Sequence, residues 1–183
     1  MTDKRMLLPQ ALVASLLSGA TQVSMPVRPQ PPISKEMDHC PFPIGTVVWV
    51  PETWRVWGTV SSACVVFIEF RDSEPVRHVV PSAQFPRYNR MRIDGLTKWE
   101  SPATMPSWAA RYRAVIEGAK AGRLWDATEA DAVADGFKER RGAQGLVFTA
   151  LDYLITAWDD LYAKRGYPSD INPWRYSYGL RRL

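Results

Sequence analysis

Six prolines fall between residues 26 and 43, at Pro26, Pro29, Pro31, Pro32, Pro41 and Pro43. Each ring removes a backbone donor and fixes φ, so this stretch is barred from a helix interior or a central strand and is expected to run extended over the surface. A Pro-rich connector at 26–43 therefore separates a short N-terminal element from the larger body of the chain. With 15 prolines and 8 tryptophans in all, a loop-rich fold walled by aromatic residues is favoured over a helical bundle.

The 183 residues fit a single domain, 1–183, long enough to bury a core without disulfides. Hydrophobic content of 46% and charged content of 23% exclude a globally disordered chain. The net charge of +4 is compatible with a polyanionic partner without requiring one. Cys40 and Cys64 are the only cysteines, and free thiols in a reducing cytoplasm are expected. His39 and His78 do not complete a zinc ligand set with them, so neither a metal nor a cofactor is expected. Lys4-Arg5 followed by Met6 to Leu17 has the outline of a signal peptide, but Pro9, Gln10 and Ser15 interrupt its apolar run. No segment reaches the ~18 apolar residues that span a bilayer, and no membrane association is expected.

Pro9 suits the first turn of a helix carrying Leu12, Leu16 and Leu17 on one face, with Gly19 as its stop. Thr46 to Val50 and Cys64 to Phe70 have strand composition, and Arg77 to Val80 is a weaker candidate. Residues 81–108, with Pro81, Pro86, Pro102 and Pro106, are expected to form a long irregular loop. Ala110 to Trp125 is ambiguous between helix and strand. Thr128 with Asp131 forms a capping box for a short helix that Gly136 ends. The strongest helix is expected over Gln144 to Lys164, where Val147, Leu151, Leu154, Trp158 and Leu161 make one stripe. Trp174, Tyr176, Tyr178 and Leu180 alternate with Arg175, Ser177, Gly179 and Arg181, the period of a half-buried strand. The order of elements indicates an α+β domain on a small curved sheet or barrel.

Two features carry candidate chemistry. The Gly45-led strand delivers Glu52 among Trp49, Trp54 and Trp57. A carboxylate there can accept from a base's exocyclic amine, or it can pair with an arginine such as Arg55. Separately, Arg77, Arg87, Arg90, Arg92 and Lys98 stand against Asp94 alone, with Tyr88 interleaved. That composition suits a loop that follows phosphates, and equally a solvated basic loop. Arg175, Arg181 and Arg182 are candidates to extend the same basic surface.

Four pieces in order resemble the phage-encoded branch of the ASCH family: Val13 to Thr21 with Val27 to Pro32, Gly45 to Trp54, Lys98 to Arg111, and Lys164 to Gly166 with Asn172 to Trp174. The resemblance covers nearly the whole chain. It implies a PUA-like small β-barrel flanked by helices, and a strand over residues 111–123. In related amidohydrolases that deacetylate modified cytidine, a lysine and a threonine after the first helix act with a glutamate. Here Ala20 and Val23 fall at the lysine and threonine positions, and Ser24-Met25 replaces a pair of arginines. Glu52 is retained. Thr21 and Ser24 are then the only candidate nucleophiles beside Glu52.

The expected function is accordingly a phage accessory protein that binds nucleic acid, RNA foremost, or a modified nucleoside, without efficient catalysis. Glu52, Trp54, Thr21 and Gln22 would line the pocket, and Arg77, Arg87, Tyr88, Arg90 and Arg92 would meet the nucleic acid. The alternatives are a surface that binds and inhibits a host or defence protein, and residual N-acyl-cytidine amidohydrolase activity.

Overall fold

The computed structural model describes residues 3–30, 40–95, 98–141 and 146–183, with side chains described except at 93–95. In chain order the elements are β1 (Lys4–Arg5), α1 (Gln10–Leu17), β2 (Gln22–Pro26), β3 (Val47–Val50), β4 (Trp54–Val60), β5 (Val65–Phe70), β6 (Ser73–Val79), α2 (Phe85–Gly95), β7 (Tyr112–Arg123), α3 (Glu129–Ala134), β8 (Arg140–Arg141), β9 (Val147–Phe148), α4 (Ala150–Tyr162) and β10 (Trp174–Arg182). The α+β composition is as expected. Where one domain is expected, contacts divide the chain into two compact units, one of residues 1–4, 8–48 and 112–183, the other of 5–7 and 49–111. Part of the connector, with Pro31, Pro32 and His39, and the start of the long helix, with Gln144, lie outside the described residues.

The first unit is built on β10. It pairs antiparallel with β7 from Trp174↔Arg123 to Arg182↔Ala114 and with β2 from Arg175↔Pro26 to Gly179↔Gln22. The strand expected over 111–123 is present as β7, because Tyr112, Ala114 and Ile116 bury one side of an extended backbone. β10 is a strand as its alternation indicates, but it is not half-buried. With partners on both edges and cover on both faces, Arg175 and Ser177 are as inaccessible as Tyr176, Tyr178 and Leu180. Arg175 therefore adds nothing to a basic surface, whereas Arg181 and Arg182 are exposed.

The helices of this unit end where their caps dictate. Pro9 precedes α1, which buries Leu12, Val13 and Leu16. Thr128 and Asp131 form the expected capping box of α3. The stripe expected from Gln144 becomes helical only at Ala150, since Thr149 and Asp152 make a second capping box there and Val147 lies in β9 instead. The Glu129 carboxylate reinforces that start by accepting from the backbone N–H groups of Ala150 at 2.7 Å and Leu151 at 3.1 Å.

Gly136 ends α3 at φ +93°, and a Cβ built on it would lie 2.3 Å from Ser15 Oγ and 3.2 Å from Ala20 Cβ. Gly136→Ala is expected to cost about 2 kcal/mol in urea unfolding, through left-handed strain and the displaced Ser15 hydroxyl. A loss below about 0.5 kcal/mol would show that the turn relaxes freely.

The second unit holds the antiparallel sheet β4-β5-β6. Trp49, Trp54, Val56, Val66, Ile68, Phe70, Phe85, Tyr88 and Met105 form its core. β4 slips register between Val56 and Gly58, and β6 tolerates Pro75 because it is an edge strand. The irregular loop expected at 81–108 is corrected: it contains α2 and two single 3-10 turns, Pro102–Thr104 and Ser107–Ala109. Its prolines sit where helices accept them. Pro86 is in the first turn of α2 and Pro102 opens a 3-10 turn, while Phe85 and Tyr88 supply a buried face.

Candidate nucleic-acid interface

α2 orders the basic residues. Phe85 and Tyr88 point into the core of the second unit, so residues on the rest of the helix, including Arg87, Arg90 and Arg92, are left toward solvent. Arg87 and Arg90, three apart, line a cleft of about 560 Å³ together with Val56, Pro86, Met91, Lys98 and Glu100. The cleft thus collects three cations over an apolar floor. Among the described side chains, no carboxylate pairs with Arg87 or Arg90, and Lys98 Nζ is 4.0 Å from Glu100 Oε1. Glu100 is held by backbone hydrogen bonds with Trp54, its N–H donating at 2.7 Å and its carbonyl accepting at 3.3 Å.

The other residues expected at the interface are placed differently. Arg77 is exposed on β6 and Arg92 on the last turn of α2, and neither lines the cleft. Tyr88 is 3% exposed and meets Trp108 edge-on at 5.2 Å, so it packs the core and presents no ring to a base. Of the three tryptophans, Trp49 and Trp54 are buried and Trp57 is exposed on β4. Trp99, beside the cleft residues in sequence, lies under Arg55 at 4.6 Å and Arg71 at 5.7 Å.

Glu52 is 1% exposed. Its carboxylate accepts from Arg111 Nε at 3.0 Å and from Arg111 Nη2, while the guanidinium lies 4.5 Å over the Phe70 ring. Arg55 instead pairs with Glu69, Nε to Oε2 at 2.6 Å. Glu52 is therefore bound bidentate by an arginine that the sequence did not single out, and both of its oxygens are engaged.

Thr21, Gln22 and Ser24 belong to the first unit, Glu52 and Trp54 to the second. Thr21 is exposed and its amide bonds the Ala134 carbonyl. Gln22 Nε2 reaches the Asp131 carbonyl at 3.4 Å. Ser24 is buried in a polar cluster centred on Arg175, whose Nη1 donates to Ser24 Oγ at 2.8 Å and to Ser177 Oγ, and whose Nη2 meets Asp131 Oδ2 at 3.2 Å. Burial alone would raise Asp131, but the Thr128 amide and hydroxyl with the Arg175 charge outweigh it and hold the carboxyl below its ordinary range.

Asp135 completes this cluster at 2% exposure, and neither carboxylate oxygen has a hydrogen-bond partner among the described residues. Burial pushes it up to about 6, against the opposing pull of Ser24, Gln22 and Arg175. The Tyr162 hydroxyl is also unpartnered, and burial pushes it up to about 12. A cavity of about 10 Å³ lined by Ser24, Asp135, Phe137, Trp158 and Tyr162 lies here. It has room for one water, which would satisfy these groups, and none for an acyl substrate at Ser24.

The sequence offers Asp131 as a helix cap and Arg175 as surface charge, and their meeting with Asp135 in one buried cluster is not legible because Arg175 lies 44 positions from Asp131. Glu100 escaped the sequence reading because its neighbours drew attention only as positive charge. Among the described residues, no helix is long and apolar enough to cross a membrane. The chain matches no family model, no curated protein and no solved structure.

Proposed function

We propose that this chain is a non-catalytic nucleic-acid-binding protein whose interface is the cleft between α2 and the Lys98–Glu100 segment. The observation that carries this reading is the convergence of Arg87, Arg90 and Lys98 on one cleft, with no acidic partner for the two arginines among the described side chains. Such cations are available to neutralise phosphates and release counterions. The ASCH resemblance, with its PUA-like barrel and phage setting, is the evolutionary part of the same proposal. Its pocket at Glu52 and Trp54 receives no support, since one is ion-paired and the other wholly buried. Binding is accordingly assigned to the cleft, with Arg77 and Arg92 as outlying phosphate contacts.

The three cleft cations on a single strand contribute about −2 to the slope of log affinity against log salt, which by itself weakens binding roughly 20-fold between 50 and 200 mM. Fluorescence anisotropy with RNA and DNA oligonucleotides reads this directly. The double variant Arg87→Ala/Arg90→Ala is expected to flatten the slope by about 1.4. A flat titration with the unaltered protein overturns the proposal, and a stoichiometric protein partner recovered free of nucleic acid would favour the host-protein reading in its place.

A further inference from the structure

We infer that the cleft accommodates one nucleotide unit whose base carries an exocyclic amine, and that Glu100 selects it. This rests on the nucleic-acid reading above and adds a base class to it. A volume of about 560 Å³ lies in the range of small-ligand sites. Val56, Pro86 and Met91 supply an apolar floor for a base, and Arg87, Arg90 and Lys98 supply counter-charge for its phosphate.

Glu100 is the residue that a purely phosphate-following cleft does not explain, because a carboxylate repels phosphate. Among the described residues its ion pair is a long one, with Lys98 Nζ at 4.0 Å, and that lysine is itself largely exposed. Nor is it free to swing away with a loose backbone. Both of its main-chain hydrogen bonds go to Trp54, whose side chain is fully buried. A carboxylate only accepts hydrogen bonds, so it is satisfied by an amine on a base edge and opposed by a carbonyl in the same place. The cleft should therefore discriminate two bases of the same size that differ only in that group.

Cytosine and uracil make this comparison. With the full chain at pH 7.5 and 100 mM salt, 12-nucleotide oligo(dC) is expected to bind about 5- to 20-fold more tightly than oligo(dU). Glu100→Gln, whose amide can donate as well as accept, is expected to bring that ratio close to one. Equal binding of the two oligomers by the unaltered protein overturns the inference, as does a preference that survives Glu100→Gln. A Glu100→Gln variant that gains affinity for both oligomers equally, from an unaltered protein with no preference, reduces Glu100 to charge balance. Failure of the unaltered protein to bind either oligomer, or any RNA, overturns the nucleic-acid reading itself, so the two failures are distinct.

Discussion

Arg111→Ala is expected to destabilise the protein by about 3–5 kcal/mol in equilibrium urea unfolding. The cost does not come from the net worth of the ion pair, which desolvation of both charges largely offsets. It comes from the partner left behind. Glu52 is 1% exposed, and both of its oxygens face the Arg111 guanidinium, itself stacked on Phe70. Without that arginine a buried charge is left without its counter-ion, which opposes folding. The double variant Arg111→Met/Glu52→Gln removes the charge together with its need, and is expected to recover most of the loss. A ligand-binding role for Glu52 makes a different prediction. Arg111→Ala would then cost less than about 1 kcal/mol, in the range of an exposed pair, while freeing Glu52 and strengthening binding.

The contrast between Glu52 and Glu100 shows what a linear reading can reach. Elements whose signals are local were legible: the capping box at Thr128 and Asp131, the stop at Gly19, the strand from Val65 to Phe70 and the alternating β10. The helix α2 was hidden because four prolines dominate its neighbourhood, although two of them occupy positions that helices and turns accept. β4 was hidden by its own tryptophans, which invite a functional reading before a structural one. For the site, the arginines of α2 were legible as charge, but which of them share a cleft depends on the helix phase and on Val56 from another element. Glu52 looked like the mouth of a pocket because its partner lies 59 positions away. No spacing rule connects residues that meet only through tertiary packing.

Asp135 tests the opposite unit by the same physics and with the opposite sign. Its carboxyl is pushed from the ordinary 3.8 up to about 6, so the folded chain holds this proton more tightly than the unfolded chain does. The stabilising contribution is therefore complete below about pH 4, falls as the pH rises through 6 and is absent above it. At about 1.4 kcal/mol per pH unit the loss totals roughly 3 kcal/mol. Asp131, held low, runs the other way and loses its contribution as the pH falls, so the unaltered protein alone mixes two opposing trends. Asp135→Asn separates them, because it keeps the size and leaves the Arg175 contact to Asp131 and Ser24 in place. The difference in stability between variant and unaltered protein should widen by about 2.4 kcal/mol between pH 4 and pH 7.5, in favour of the variant. A difference that does not change with pH would mean that the carboxyl ionises normally, solvated by a water in the small cavity. A variant that becomes relatively less stable as the pH rises would mean that ionised Asp135 shares the Arg175 charge. The expected result leaves a buried carboxyl that costs stability at neutral pH, set within the first unit's own cluster of Ser24, Tyr162 and Arg175.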